Sequence, residues 1–129
     1  MRRNLIFALF VLLFLFPNMA LAGGVTEKDF KVQTTQELVN LCTASPDDPL
    51  YQQAVNFCYG YLVGAYHYYQ AEVSGPKATR TICPPDPQPS RNEAVAMFIE
   101  WAKGHPQNMS ELPVETEFRF LTEKWPCKR

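Results

Sequence analysis

The sequence predicts an all-α domain, a small bundle of about four helices stapled by two disulfides. Three observations predict it. Apolar residues recur at helical spacing in four separate stretches, and no stretch alternates as a half-buried strand would. Two capping boxes and two Gly/Pro stops punctuate those stretches. All four cysteines, Cys42, Cys58, Cys83 and Cys127, lie in a short segment behind an export-type leader, the usual setting of a disulfide framework.

The leader occupies residues 1–22. Arg2 and Arg3 supply a positive start, Leu5 to Phe16 is a run of twelve apolar residues, and Pro17-Asn18 ends it. Ala20-Leu21-Ala22 then gives the small-x-small pattern of a signal cleavage site, with Ala22 and Gly23 on either side of the cut. The run is shorter than a membrane span requires, so no stable anchor is expected after cleavage. The remaining 107 residues carry ten basic and thirteen acidic side chains, a net charge of −3. That balance excludes nucleic acid as a partner, because phosphate binding needs a concentrated basic surface.

Gly23 to Gln33 is polar and aperiodic and reads as a loosely ordered arm; residues 34–129 form the helical domain. Thr34-Thr35-Gln36-Glu37 is a capping box, and the short helix behind it carries Leu38, Leu41 and Cys42 on one face. Asp48 as N-cap and Pro49 at the first helical position then open a long helix, Asp48–Glu72, around which the others are expected to pack. It holds all six tyrosines. Tyr51, Ala54, Val55, Cys58, Tyr61, Leu62, Ala65 and Tyr69 share its broad face at about 100° per residue, while Gly60, Gly64 and Ala71 line the opposite side. Tyr59, Tyr66 and Tyr68 lie toward the flanks, where tyrosine suits a partner surface.

Gly75-Pro76 stops this helix. Residues 73–89 then carry Pro76, Pro84, Pro85, Pro87 and Pro89, which forbid a continuous helix. A second capping box, Ser90 to Glu93, opens a third helix with Ala94, Val95, Met97, Phe98, Trp101 and Ala102 as its apolar residues. Gly104 can supply a left-handed C-terminal cap, and Pro106 prevents continuation. A fourth helix from about Pro113 to Lys124 is expected to bury Val114, Phe118, Leu121 and Trp125.

If consecutive helices are antiparallel, Cys83 before the third helix and Cys127 after the fourth lie at one end of the bundle. That leaves Cys42 to pair with Cys58. Cys42 ends its helix while Cys58 is more than two turns into the next, so the connection must climb back or the helices must cross steeply.

Little in the chain suggests catalysis. Disulfides consume every thiol a Cys–His pair would need, and no nucleophile elbow accompanies His67 or His105. His67 reads as a rim residue and His105 as a corner residue bonding nearby backbone. Asp47-Asp48 lacks the alternating oxygen ligands of a calcium loop, and no cysteine spacing suggests zinc, so no catalytic residue, cofactor or metal is assigned. Asn108-Met109-Ser110 matches a glycosylation sequon.

Thr35-Gln36-Glu37-Leu38 with Cys42, Cys58-Tyr59-Gly60-Tyr61-Leu62-Val63-Gly64, Ile82-Cys83-Pro84-Pro85, the His105-Pro106 corner and Trp125-Pro126-Cys127 follow one another from Thr34 to Cys127. In this order and spacing the sequence resembles the Rap/Tai family of immunity proteins, exported helical proteins that protect bacteria from type VI secretion amidase effectors. Trp125 stands where the family often has Phe, and Leu112 to Lys124 is more charged than the family pattern. The resemblance implies a periplasmic, non-enzymatic binder, often a homodimer, that docks over the active-site cleft of a peptidoglycan-cleaving Cys–His amidase. Contacts are expected from the loop 73–89 or from a helix face. The alternative is a periplasmic acid-stress-type chaperone, or another non-catalytic exported binding protein.

Overall fold

The computed structural model describes residues 23–128; the expected signal segment, with Ala22 of its cleavage site, lies outside them. Among the described residues the backbone forms four α-helices: α1 (Thr35–Cys42), α2 (Tyr51–Glu72), α3 (Arg91–Lys103) and α4 (Pro113–Lys124). Short 3-10 turns occupy Asp29–Lys31 and Pro106–Asn108. Every pair of the four helices is in contact. None is long and apolar enough to cross a membrane.

The eight-residue α1 is the centre of the bundle. Thr34 and Ser90 close both capping boxes as expected, each hydroxyl accepting from the backbone N–H of the glutamate three residues on. Thr35, Leu38 and Leu41 are fully buried, with Glu37 and Val39 nearly so. The N-terminus of α1 is tied to the turn before α4: Thr35 N–H donates to the Glu111 carbonyl at 2.8 Å and Gln36 N–H to that of Met109 at 3.0 Å. Beside them the hydroxyls of Thr35 and Thr116 meet at 2.7 Å, so a buried polar pair fixes the register of the two helices.

The long helix, expected to be the organiser, is instead a flank. It buries only Ala54, Cys58 and Leu62 among its 22 residues. At 1.5 Å per residue it is about 33 Å long, and helices a third to just over half that length cannot cover it. Its start also differs. Asp48 is not the N-cap, and Pro49 lies outside the helix; α2 begins at Tyr51 after Leu50, which makes no side-chain cap. The Asp48 carboxylate closes a local turn by accepting from Leu50 N–H at 2.8 Å, and its other oxygen accepts from Val25 N–H at 2.8 Å. Gly24 permits this approach, since a Cβ there would lie 2.6 Å from the Asp48 carboxylate.

Asp48 therefore fastens the segment expected to be a loose arm. Val25, Phe30 and Val32 pack against the core, and Asp29 is buried. Burial works against the charge on Asp29, but hydrogen bonds from Asn40 and Thr26, with Lys28 nearby, outweigh it and hold the carboxyl below its ordinary value. Aperiodic sequence hid this, because the anchoring bonds are made to side chains distant in the chain.

Both disulfides form as the helix geometry implies: Cys42–Cys58 with Cα atoms 5.1 Å apart, and Cys83–Cys127 with 4.9 Å. The late start of α2 lengthens the connection and brings Cys58 closer to the helix start, which removes the difficulty of pairing it with Cys42. Two other local expectations fail. Gly104 is right-handed, with φ −74°, so α3 ends without a left-handed cap. Asn108 of the sequon is 3% exposed, which leaves no room for a glycan.

The helix α4 is rotated from its expected face. Its buried stripe is Pro113, Thr116, Glu117, Phe120 and Leu121; Val114 is 38% exposed, and Phe118 and Trp125 are half-buried. Two contacts set the rotation. Thr116 must meet Thr35, and Phe120 sits among aromatic rings, 5.9 Å from Phe98, 5.9 Å from Trp125 and 6.0 Å from Trp101.

Gly60 and Gly64 face open space, with nothing within 4 Å of a Cβ built on either. Neither has positive φ. The fold of the single chain therefore does not require them. Replacing either by alanine should stabilise the domain by about 0.5–1 kcal/mol, because mid-helix glycine costs that much in entropy. Urea denaturation measures this; a loss of stability would show that each glycine has a close neighbour in solution.

Candidate partner-binding site

The proline-rich connection between α2 and α3 is the longest exposed segment of the described chain, and it is held at its middle by several ties. The Tyr69 hydroxyl accepts from the backbone N–H groups of Thr81 and Ile82, both at 2.9 Å. Burial opposes the charged form of that phenol, but these bonds, the Thr81 hydroxyl and Arg80 outweigh it and lower its pKa. Ile82 pairs with Pro126 in an isolated antiparallel bridge, the one place where strand-like pairing occurs among the described residues. Cys83 N–H donates to the Trp125 carbonyl at 2.8 Å and Cys127 N–H to that of Thr81 at 3.3 Å. With the Cys83–Cys127 disulfide alongside, the middle of the loop is locked to the segment that follows α4. Beyond that clamp, residues 85–88 are exposed and include a cis Asp86–Pro87 peptide.

Beneath the loop lies a cavity of about 250 Å³. Leu62, Val63 and Tyr66 of α2 form one wall, and Val95 and Phe98 of α3 another. Pro84 and Pro89 of the loop and Phe120, Leu121 and Trp125 at the end of α4 complete it. The polar groups are few: His67 and Gln70 on α2, Gln88 in the loop, Arg91 at the start of α3, and Glu117.

Glu117 is the unusual member. It is 4% exposed, and its Oε2 is buried without a hydrogen-bond partner. Burial pushes its pKa from an ordinary 4.5 up to about 8, so at neutral pH the group is mostly the uncharged acid. Its influence reaches Tyr61, whose hydroxyl is pushed up by burial and then by Glu117, with the Val114 backbone acting in the opposite direction. Pro113, Thr116, Glu117, Phe120 and Leu121 do form an i, i+3, i+4 stripe with a carboxylate inside it, but it is less apolar than the register through Val114 and Phe118.

The sequence-predicted residues are distributed rather than assembled. All four cysteines are in the two disulfides, and none among the described residues is free. His67 is exposed on the cavity rim. His105 stacks on Trp101 at 3.9 Å with its Nδ1 2.6 Å from the Trp101 carbonyl, the corner role expected of it. Among the described residues no group of three or more His, Cys, Asp or Glu is placed to hold a metal ion.

These features define a small helical domain, stapled by disulfides, with a clamped loop over an apolar cavity. Residues 34–127 match the family of Rap1a immunity proteins, and the chain belongs to that family. The match spans α1 to α4 and both disulfides. Comparison with curated proteins and with solved structures finds no match.

Proposed function

We propose that this is a periplasmic immunity protein that binds a type VI secretion peptidoglycan amidase and occludes its active site, without catalysis of its own. The observation that carries the reading is the family match across the whole helical domain. Two structural features support it. Both disulfides suit an oxidising compartment outside the cytoplasm. The clamped loop also presents exposed residues on a rigid base, which lowers the entropy lost when a partner grips it. A homodimer belongs to the same reading, and sedimentation of the mature domain measures it.

An amidase effector encoded beside this chain is expected to co-purify with the mature domain. Asp86→Ala together with Gln88→Ala should weaken that complex by about tenfold or more, with little change in thermal midpoint. Unchanged affinity would reject the loop as the contact, and failure to bind any neighbouring effector would count against the immunity reading itself.

A further inference from the structure

We propose that the cavity beneath the loop is a receptor for a basic side chain of the partner, an alkyl-linked guanidinium or ammonium that pairs with Glu117. That a partner effector supplies this side chain rests on the immunity reading; the chemistry of the cavity does not.

The argument starts from the mismatch inside the site. Leu62, Val63, Phe98 and Leu121 offer apolar surface, while Glu117 brings an acid whose Oε2 has no partner. A buried carboxyl without a partner is costly, and each one in a native structure calls for a structural or functional reason, of which a bound group is one. The described residues supply no partner: the ion pairs they make are Lys28–Glu37, Lys103–Glu100 and Arg119–Glu111. A cation on a methylene stem is complementary to both parts of the site. Its stem lies on the apolar walls, and its head meets the carboxylate. The head group meets the Glu117 carboxyl where that side chain lines the cavity, and a charge-assisted bond there is stronger than one to a neutral group. The cavity volume of about 250 Å³ accommodates such a side chain.

The location fits a partner as well as the chemistry does. Pro84, Gln88 and Pro89 belong both to the loop and to the cavity wall, so whatever grips the loop also covers the mouth. Arg91 lines that mouth and makes no ion pair with Glu117, which makes it the internal competitor for the site.

The test uses the free mature domain and four probes: n-butylguanidinium, n-butylammonium, 1-butanol and butyrate. Backbone amide shifts of Leu62, Val63 and Trp125 follow binding. Both cations should saturate with dissociation constants of about a millimolar, at least about tenfold tighter than butanol or butyrate. Glu117→Gln should erase that preference while the domain stays folded. A second readout covers poor behaviour of the variant. Binding of a cation at pH 7 should release a proton as Glu117 ionises, seen by calorimetry in buffers of different ionisation enthalpy. The other ionisable groups around the site are Tyr61, Tyr66 and His67 on α2 and Arg91 on α3.

Equal binding of butanol, a cation preference that survives Glu117→Gln, or no proton release would overturn the proposal. So would cation binding that appears only after Arg91→Ala, since Arg91 would then be the natural occupant. These outcomes are independent of any effector. Failure here leaves the immunity reading standing, and failure of effector binding leaves the cavity chemistry standing.

Discussion

Replacing Cys83 and Cys127 by serine is expected to lower stability by about 4 kcal/mol in the chain-entropy account of a cross-link. The bridge spans 44 positions of sequence, against 16 for Cys42–Cys58, whose loss should cost about 3 kcal/mol. A domain of this size has a net stability of about 5–15 kcal/mol, so either loss is a large fraction of the total. The longer bridge has a second consequence. It lies beside the Ile82–Pro126 pairing and the Tyr69 hydrogen bonds, so the loop clamp should loosen along with it. Urea denaturation of the serine variant, read beside amide exchange at Thr81 and Ile82, measures both effects. A loss below about 1 kcal/mol with full protection at those amides would mean that the bundle holds the loop without its staple.

Stability should fall as pH rises from about 4.5 to 8, and Glu117→Gln should remove most of that fall. The sign follows from which state holds the proton. Folded Glu117 titrates near 8, while the unfolded chain loses its proton near the ordinary 4.5. Between those values the folded protein keeps a proton that the unfolded chain has released, so each rise in pH favours unfolding. At 1.36 kcal/mol per unit, the full window amounts to on the order of 5 kcal/mol. Asp29 has the opposite sign and a different window. Its folded value lies below the ordinary 3.8, so its contribution is present above that value and is lost as pH drops through the folded one. Chemical denaturation at pH 5, 7 and 8.5 of the wild type and Glu117→Gln measures the difference. A flat wild-type profile would show that Glu117 is paired or hydrated in solution. The same sign disfavours an acid-triggered chaperone, because acid strengthens the protein at Glu117 and leaves no charge there to release.

Much of the fold could be read from local signals, and the failures share one cause. Thr34–Glu37 and Ser90–Glu93 announce their helices because a capping box is satisfied within four residues. The cysteine pairing followed from the end of the bundle at which each thiol lies. Asp48 departs from the expected cap because its carboxylate bonds Leu50 and the distant Val25 instead. The rotation of α4 and the centrality of α1 depend on the Thr35–Thr116 contact, which no local pattern announces. Gly60 and Gly64 form a smooth stripe on α2, yet nothing among the described residues comes within 4 Å of a Cβ placed on either. The loop was legible as a tethered segment from its prolines and Cys83. The cavity below it was not, because its walls come from three helices and its acid sits in a stripe that looked less apolar than the alternative.

The measurement closest to the central claim is residual hydrolysis of peptidoglycan by an amidase effector proposed as the partner, as the mature, oxidised domain is added. An immunity protein that covers the active site should abolish hydrolysis at a one-to-one ratio of chains, with the complex isolable by size exclusion. Undiminished hydrolysis in the presence of excess domain, with no complex formed, would contradict it.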